Sequence, residues 1–172
     1  MKLNKFAIAT VLAFSGISVA NAADMGHGSV TFKGSIIEAP CSISSESIDQ
    51  SVNLGQISAA SLANSGTSVP KNFTIALDNC TLTALKSVTA TFTGAAGVAG
   101  RLGVTGTAKG ASIALTDGAN TVIQLGTASK AQNLQDGINT LAFSAYLQGD
   151  GDAVEVVPGD FTGITDFTLA YQ

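Results

Sequence analysis

Hydrophobic residues alternate with polar or small residues in six separate stretches of the chain. A period of two residues is typical of β-strands that bury one face and expose the other. Turn signals such as Asp117-Gly118, Asp136-Gly137 and Pro158-Gly159 separate the stretches. The pattern predicts an all-β domain, a β-sandwich of immunoglobulin type. The hydrophobic positions are Phe73, Ile75 and Leu77; Val88, Ala90 and Phe92; Ile113 and Leu115; Ile123 and Leu125; Leu141, Phe143, Ala145 and Leu147; and Phe167, Leu169 and Tyr171.

The last of these stretches lies at the C-terminal end of the sequence. Phe167, Leu169 and Tyr171 share one face of the predicted strand, and only Gln172 follows them. A final apolar strand with nothing after it is expected to lack a partner on one side. Such an exposed edge is a place where another chain can pair.

A second unusual segment lies near the N-terminus. Val30, Phe32, Gly34 and Ile36 fall at strict two-residue spacing, so that the apolar row of a one-faced strand contains a glycine. A glycine inside an ordinary strand weakens it. The glycine is easier to explain if the backbone approaches a bulky neighbour there. The alternative is an ordinary first strand of the same sandwich.

The first 22 residues have the features of a secretory signal peptide. Lys2 and Lys5 are followed by the apolar segment 6–20, and Ala20-Asn21-Ala22 fits a cleavage site with small residues. The apolar segment is short for a membrane-spanning helix. The sequence therefore predicts export and a mature chain that begins at Ala23, long enough for one domain with its own core. A buried N-terminal helix is the alternative.

Charge and composition disfavour several functions. The formal net charge is −4, and removal of Lys2 and Lys5 makes it −6. An acidic surface argues against nucleic acid and against anionic membranes as partners. His27 is the only histidine, and no Gly-x-Ser-x-Gly turn is present, so we predict no enzyme activity, no catalytic residues, no metal site and no cofactor.

Cys41 and Cys80 are the only cysteines. Because the chain is predicted to be exported to an oxidising compartment, we expect them to form a disulfide within one subunit. The alternative, a metal-binding or redox-active pair, would require closer spacing or histidine partners.

Several motifs together identify a family that this chain resembles. The signal peptide is followed by four short motifs, and Gly159 stands fourteenth and Tyr171 second from the C-terminus. In these features the whole chain resembles the pilins of chaperone–usher fimbriae, in particular major rod subunits of P-pilus and mannose-resistant Proteus-like type. The motifs are GSVTFKG at 28–34, EAPCSI at 38–43, DNC at 78–80 and FTLAYQ at 167–172.

The resemblance implies a fold and an assembly mechanism. The expected domain is an incomplete immunoglobulin-like β-sandwich that lacks its last strand, and a periplasmic chaperone or the next subunit supplies that strand. It implies a signal peptide at 1–22, a donor-strand extension at 23–37 and a pilin domain at 38–172. The donor residues would be Val30, Phe32, Gly34 and Ile36, and the residues for the acceptor groove and for chaperone or usher recognition would be Gly159, Phe161, Phe167, Leu169, Tyr171 and Gln172.

The function implied is that of a structural subunit, which passes through the periplasm and polymerises by donor-strand exchange into the rod of an adhesive surface fimbria. The implied partners are identical subunits, a periplasmic chaperone, an outer-membrane usher and tip adaptor or adhesin subunits. A minor adaptor or terminator pilin is one alternative. A secreted carbohydrate-binding β-sandwich is another, and exposed aromatic residues for sugar stacking are scarce.

Overall fold

The structure, a computed structural model, describes residues 27–172. The chain divides into two units; the second comprises residues 37–172, and residues 27–36 belong to the first. The predicted cleavage site at Ala20-Asn21-Ala22 lies outside the described residues. Within the described part, no helix is long and apolar enough to cross a membrane.

Residues 37–172 form a β-sandwich with two short α-helices and one short 3-10 helix. All six alternating stretches predicted from the sequence contribute strands. The strands are β1 (Ser42–Ile43), β2 (Lys71–Cys80), β3 (Ser87–Gly94), β4 (Thr105–Gly106), β5 (Ala111–Asp117), β6 (Val122–Ile123), β7 (Gln132–Asn133), β8 (Gly137–Gly149), β9 (Phe161–Thr162) and β10 (Thr165–Tyr171). The helices are α1 (Ser45–Ile48), α2 (Ala59–Leu62) and the 3-10 helix Val98–Gly100.

The strands assemble into three sheets. The largest has the order β1-β2-β8-β5-β6, the second has the order β10-β3-β7, and β4 pairs with β9 in a short ribbon. All of these pairings are antiparallel. β3 is therefore the centre of the second sheet, and β10 is one of its edges.

The core lies between the two larger sheets and is built from the inward residues of the alternating stretches. Ile75 and Leu77 of β2 and Phe92 of β3 are almost fully buried. The Phe92 ring meets the Phe143 ring of β8 edge-on, with the centroids 5.2 Å apart, and so connects the sheets. Edge-to-face aromatic pairs of this kind contribute about 0.5–1.5 kcal/mol beyond the area they bury.

The disulfide expected from the sequence joins Cys41 to Cys80. Cys80 ends β2, and Cys41 directly precedes β1, which pairs with β2 at Leu77 and Asp78. The bond therefore fastens the start of the domain to β2, an inner strand of its larger sheet. Closure of a loop with a sequence separation of 39 is expected to stabilise the fold by about 4 kcal/mol.

Candidate functional site

Strand β10 has a hydrogen-bonded partner on one side only. It pairs with β3 from Thr165 opposite Gly94 to Tyr171 opposite Val88, and no other strand of residues 27–172 joins its outer edge. The backbone N–H and C=O groups on that edge are therefore available to a further strand, as expected from the sequence.

The C-terminal end of β10 is fixed to the start of β3. The main-chain oxygen of Gln172 accepts hydrogen bonds from the backbone N–H groups of Lys86 (2.7 Å) and Ser87 (3.0 Å). The N–H of Gln172 donates to the Ser87 carbonyl at 2.8 Å. These bonds hold β10 against β3 to its last residue, so the outer edge has a defined position.

An open groove runs beside the N-terminal end of β10. Its first section has a volume of about 520 Å³ and lies between residues 47–54 and residues 163–167. A second section of about 700 Å³ continues between residues 50–57 and 159–164. The two sections are continuous, because the following residues line both: Gln50, Ser51, Val52, Leu54, Ile113, Gly163 and Ile164.

The floor of the first section belongs to the hydrophobic core. Ile75, Phe92 and Leu115 line it, and all three are also core residues of the sandwich. Phe167 on β10 flanks this floor, with its ring centroid 6.5 Å from that of Phe92. The sandwich is thus open along one side, and apolar side chains placed in the groove would extend the core.

The predicted groove residues occupy different parts of this region. Phe167 lines the first section, whereas Gly159 and Phe161 line the second. Leu169 and Tyr171 lie on the same face of β10, half-buried and packed against the core, but farther along the strand. Desolvation by partial burial raises the pKa of the Tyr171 hydroxyl above its usual value.

Gly159 is explained by a close approach of two backbone segments. A Cβ atom at residue 159 would overlap Thr107 Oγ1 and lie 2.6 Å from the Ala108 nitrogen. The adjacent Asp160 carbonyl accepts hydrogen bonds from both Thr107 and Ala108, at 3.0 and 3.1 Å. Any larger residue at position 159 would push these segments apart at the end of the second section.

The opposite wall of the groove, residues 47–57, was not predicted from the sequence. This wall includes only the end of α1 and no strand. Its sequence therefore has no long regular alternation of hydrophobic and polar residues. The available signal is the sequence Val52-Asn53-Leu54 with Ile57 after it, of which Val52, Leu54 and Ile57 are only partly exposed. Ser47 at the start of this wall is buried, and its hydroxyl accepts a hydrogen bond from the Ala76 N–H at 2.9 Å.

The N-terminal segment 27–36 forms neither helix nor strand. Val30 is 78% and Phe32 is 90% exposed, and Ile36 is fully exposed. The segment therefore contributes no strand to the sheets that the structure describes. Exposed hydrophobic residues in a regular row instead favour a segment that packs against a partner.

The comparisons with known proteins identify the family. The sequence profile described as "Fimbrial protein" matches residues 30–172. The chain belongs to the fimbrial protein family. It is 60% identical to the Fimbria A protein of Serratia marcescens and 50% identical to the Major MR/P fimbria protein of Proteus mirabilis (strain HI4320), in both cases over all of this chain and all of the relative.

A solved structure confirms the architecture. A chaperone–usher pilus structure, which is described as revealing the molecular basis of rod uncoiling, is 34% identical in sequence with a TM-score of 0.76. The match covers 86% of this chain and 97% of that one. The resemblance to chaperone–usher pilins and the incomplete immunoglobulin-like fold are thereby confirmed, and the chain is a structural protein of a surface fimbrium rather than an enzyme.

Proposed function

We propose that this fimbrial protein is a major subunit that polymerises by donor-strand exchange into the rod of an adhesive fimbria. Residues 23–37 of one subunit act as the donor extension, and Val30, Phe32, Gly34 and Ile36 enter the groove beside β10 of the next subunit, whose pilin domain is residues 38–172. The observation that carries the proposal is the open groove, because its floor is the core and its rim is an unpaired strand edge.

The donor segment and the strand edge match in length. Strand β10 has seven residues, of which the four at odd positions from Thr165 to Tyr171 are half-buried. The seven residues 30–36 likewise have four positions in their apolar row. A strand laid beside β10 in full register therefore pairs its backbone along the whole edge and places its apolar row on the face of β10 that carries Phe167, Leu169 and Tyr171.

The energy of this contact is large for a non-covalent joint. Burial of one large apolar side chain contributes about 1.5–3 kcal/mol. The side chains of Val30, Phe32 and Ile36, which are exposed in the single subunit, together supply roughly 5–9 kcal/mol before ordering costs. Separation of two subunits would have to remove all three together, so the joint is expected to be long-lived.

A cysteine pair tests the joint directly. In full register, Lys33 lies opposite Thr168 whether the donor runs parallel or antiparallel to β10, because each residue is the centre of its seven-residue row. Opposite residues in a sheet have Cα atoms about 4.5–5.5 Å apart, within the range of about 4.4–6.8 Å that disulfides accept. Filaments of the K33C/T168C variant should give a ladder of disulfide-linked oligomers after mild oxidation and non-reducing electrophoresis.

The control keeps the donor cysteine and moves its partner. Thr140 is also exposed on a strand, but on β8 in the other large sheet, so the K33C/T140C variant should yield no ladder. If K33C/T168C filaments run only as monomers while both thiols are reactive, the donor segment does not lie beside β10. Disulfide-linked oligomers from both variants would indicate that the cysteines react through random collisions between subunits. That result would also contradict the proposal.

The same groove would bind a strand of a periplasmic chaperone before assembly, and an outer-membrane usher would then exchange that strand for the next subunit's donor. Tip adaptor or adhesin subunits would use the same joint at the end of the rod. Gln172, whose terminal carboxylate the resemblance implies as the chaperone's anchor, already accepts two backbone hydrogen bonds through its main-chain oxygen. A chaperone contact at Gln172 would add to these bonds or replace them.

Export through the periplasm requires removal of the signal peptide at 1–22. We predict cleavage after Ala22, so the intact mass of the subunit from filaments should correspond to residues 23–172. A mass that still includes Lys2 and Lys5 would contradict the export proposal, whereas a shift of one residue would only move the site.

A minor adaptor or terminator role differs from the proposed role in abundance. Electron microscopy of surface filaments, with mass spectrometry of their main component, separates the two. The proposed role requires this chain to be the most abundant protein along the shaft.

A further inference from the structure

Every charged residue that lines the groove is an aspartate. Asp49 lies on the wall formed by residues 47–57, Asp166 lies on β10, and Asp160 lies in the second section. All three are exposed, and none forms an ion pair within the described residues. The charge on the lining of the groove is therefore negative and unneutralised within the described residues.

The proposed donor segment carries one positive charge. Lys33 is the only basic residue among residues 28–38, and it stands between Phe32 and Gly34 of the apolar row. Because successive side chains of a strand point to opposite faces, Lys33 would point out of the groove when Phe32 points into it. The one acidic residue of the segment, Glu38, follows two residues after the row ends at Ile36.

The register places Lys33 beside the acidic rim. Lys33 would lie opposite Thr168, so Asp166 would be its diagonal neighbour on the outer face of the same sheet. Diagonal neighbours are about 7–8 Å apart, which is within reach of a long side chain. Asp49 lines the same section of the groove as Asp166 from the opposite wall, so it adds negative charge near the place where the segment would enter.

We infer that Lys33 and the aspartate rim, Asp166 above all, select and accelerate the docking of the correct donor segment. This inference rests on the proposed donor-strand exchange. Two mature subunits of predicted formal charge −6 repel each other at long range, and a local opposite-charge contact offsets that repulsion where the segment enters. Complementary rim charges change association rates and partner choice more than final affinity. A donor with an acidic residue at position 33 would therefore be rejected during docking.

The test compares capped peptides of residues 29–37 that bind the mature subunit as it refolds at low concentration. The rate of association is measured with the native peptide, with Lys33→Gln and with Lys33→Glu, at low and at high salt. At low salt we expect the Lys33→Glu peptide to associate about tenfold more slowly than the native peptide, with Lys33→Gln between them. At about 1 M salt the difference should nearly disappear, since the screening length falls to about 3 Å.

A charge swap on the subunit identifies the partner of Lys33. Asp166→Lys should restore fast association of the Lys33→Glu peptide and slow the native one. Glu155→Lys changes the net charge equally at an exposed residue that does not line the groove, so it should leave the ratio of the two rates unchanged.

Two results would overturn the inference and leave the proposed function intact. One is equal association rates for the native and Lys33→Glu peptides at low salt. The other is restoration by Glu155→Lys as complete as that by Asp166→Lys, because net charge alone would then explain the rates. A native peptide that does not bind the subunit at all would contradict both the inference and donor-strand exchange.

Discussion

A subunit that carries its own donor strand is expected to be far more stable than the mature subunit alone. In this design, residues 28–38 are appended after Gln172 through a flexible Gly/Ser linker. Strand β10 is seven residues and hence about 23 Å long, so a linker of about 16 residues, with a mean span of about 20–24 Å, can return along the groove in either direction. The appended segment would fill the groove from within one chain.

The expected gain in stability follows from the apolar surface that the open groove leaves uncovered. Burial of Val30, Phe32 and Ile36 contributes roughly 5–9 kcal/mol, from which the ordering of the segment and linker must be subtracted. A net gain of about 4 kcal/mol would raise the midpoint of thermal unfolding by roughly 8–16 °C for a domain of this size. Size-exclusion chromatography should show a monomer that does not polymerise, whereas the unmodified subunit should be unstable or self-associate.

A matched variant separates strand addition from a general effect of the extra residues. Phe32→Asp in the appended copy keeps the length and the linker but places an unpaired charge in an apolar groove, which should abolish the gain. The native segment 28–36 at the N-terminus stays unchanged in both chains. If the unmodified mature subunit is already a stable monomer and the appended segment adds nothing, the domain is complete and donor-strand exchange does not apply.

The regular strands of this fold could be predicted from the sequence because their hydrophobic positions alternate with polar or small ones. Phe73, Ile75 and Leu77 in β2 and Phe167, Leu169 and Tyr171 in β10 all face the core as expected. The position of β10 at a sheet edge was also expected, and the sheet order confirms it.

The groove itself could not be predicted from local patterns, because it joins segments that are distant in the sequence. Val52 and Leu54 lie more than a hundred residues before Gly163, and the pattern around them is too short to indicate a wall. Leu102 lies in a glycine-rich stretch whose sequence does not predict a buried residue. It is nevertheless buried and forms two 2.8 Å backbone hydrogen bonds with Ile113. Tertiary pairing, rather than a local alternation, determines the position of such residues.

The glycine of the donor row provides the second test, which separates folding from assembly. A Cβ atom at Gly34 would have nothing within 4 Å in its own subunit, so a larger residue there should not disturb that subunit's fold. In the proposed joint, however, position 34 would face the neighbour's groove, and the lack of a side chain in an otherwise bulky row favours a groove that is already filled at that point. Gly34→Val and Gly34→Arg subunits should therefore fold and bind their chaperone but fail to add to a rod as donors.

The matched control for Gly34 is its neighbour Ser35, which would point away from the groove when Gly34 points into it. Ser35→Arg introduces the same bulk and charge one residue later and should still assemble. The measurement is the length and number of surface filaments by electron microscopy, together with the amount of folded subunit in the periplasm. We expect the Gly34 variants to leave at most a few per cent of normal filaments, which corresponds to a cost of about 2–3 kcal/mol or more per joint. Normal filaments from either Gly34 variant would mean that position 34 does not face the groove, because overpacking of a filled apolar site cannot be avoided by a side chain of that size.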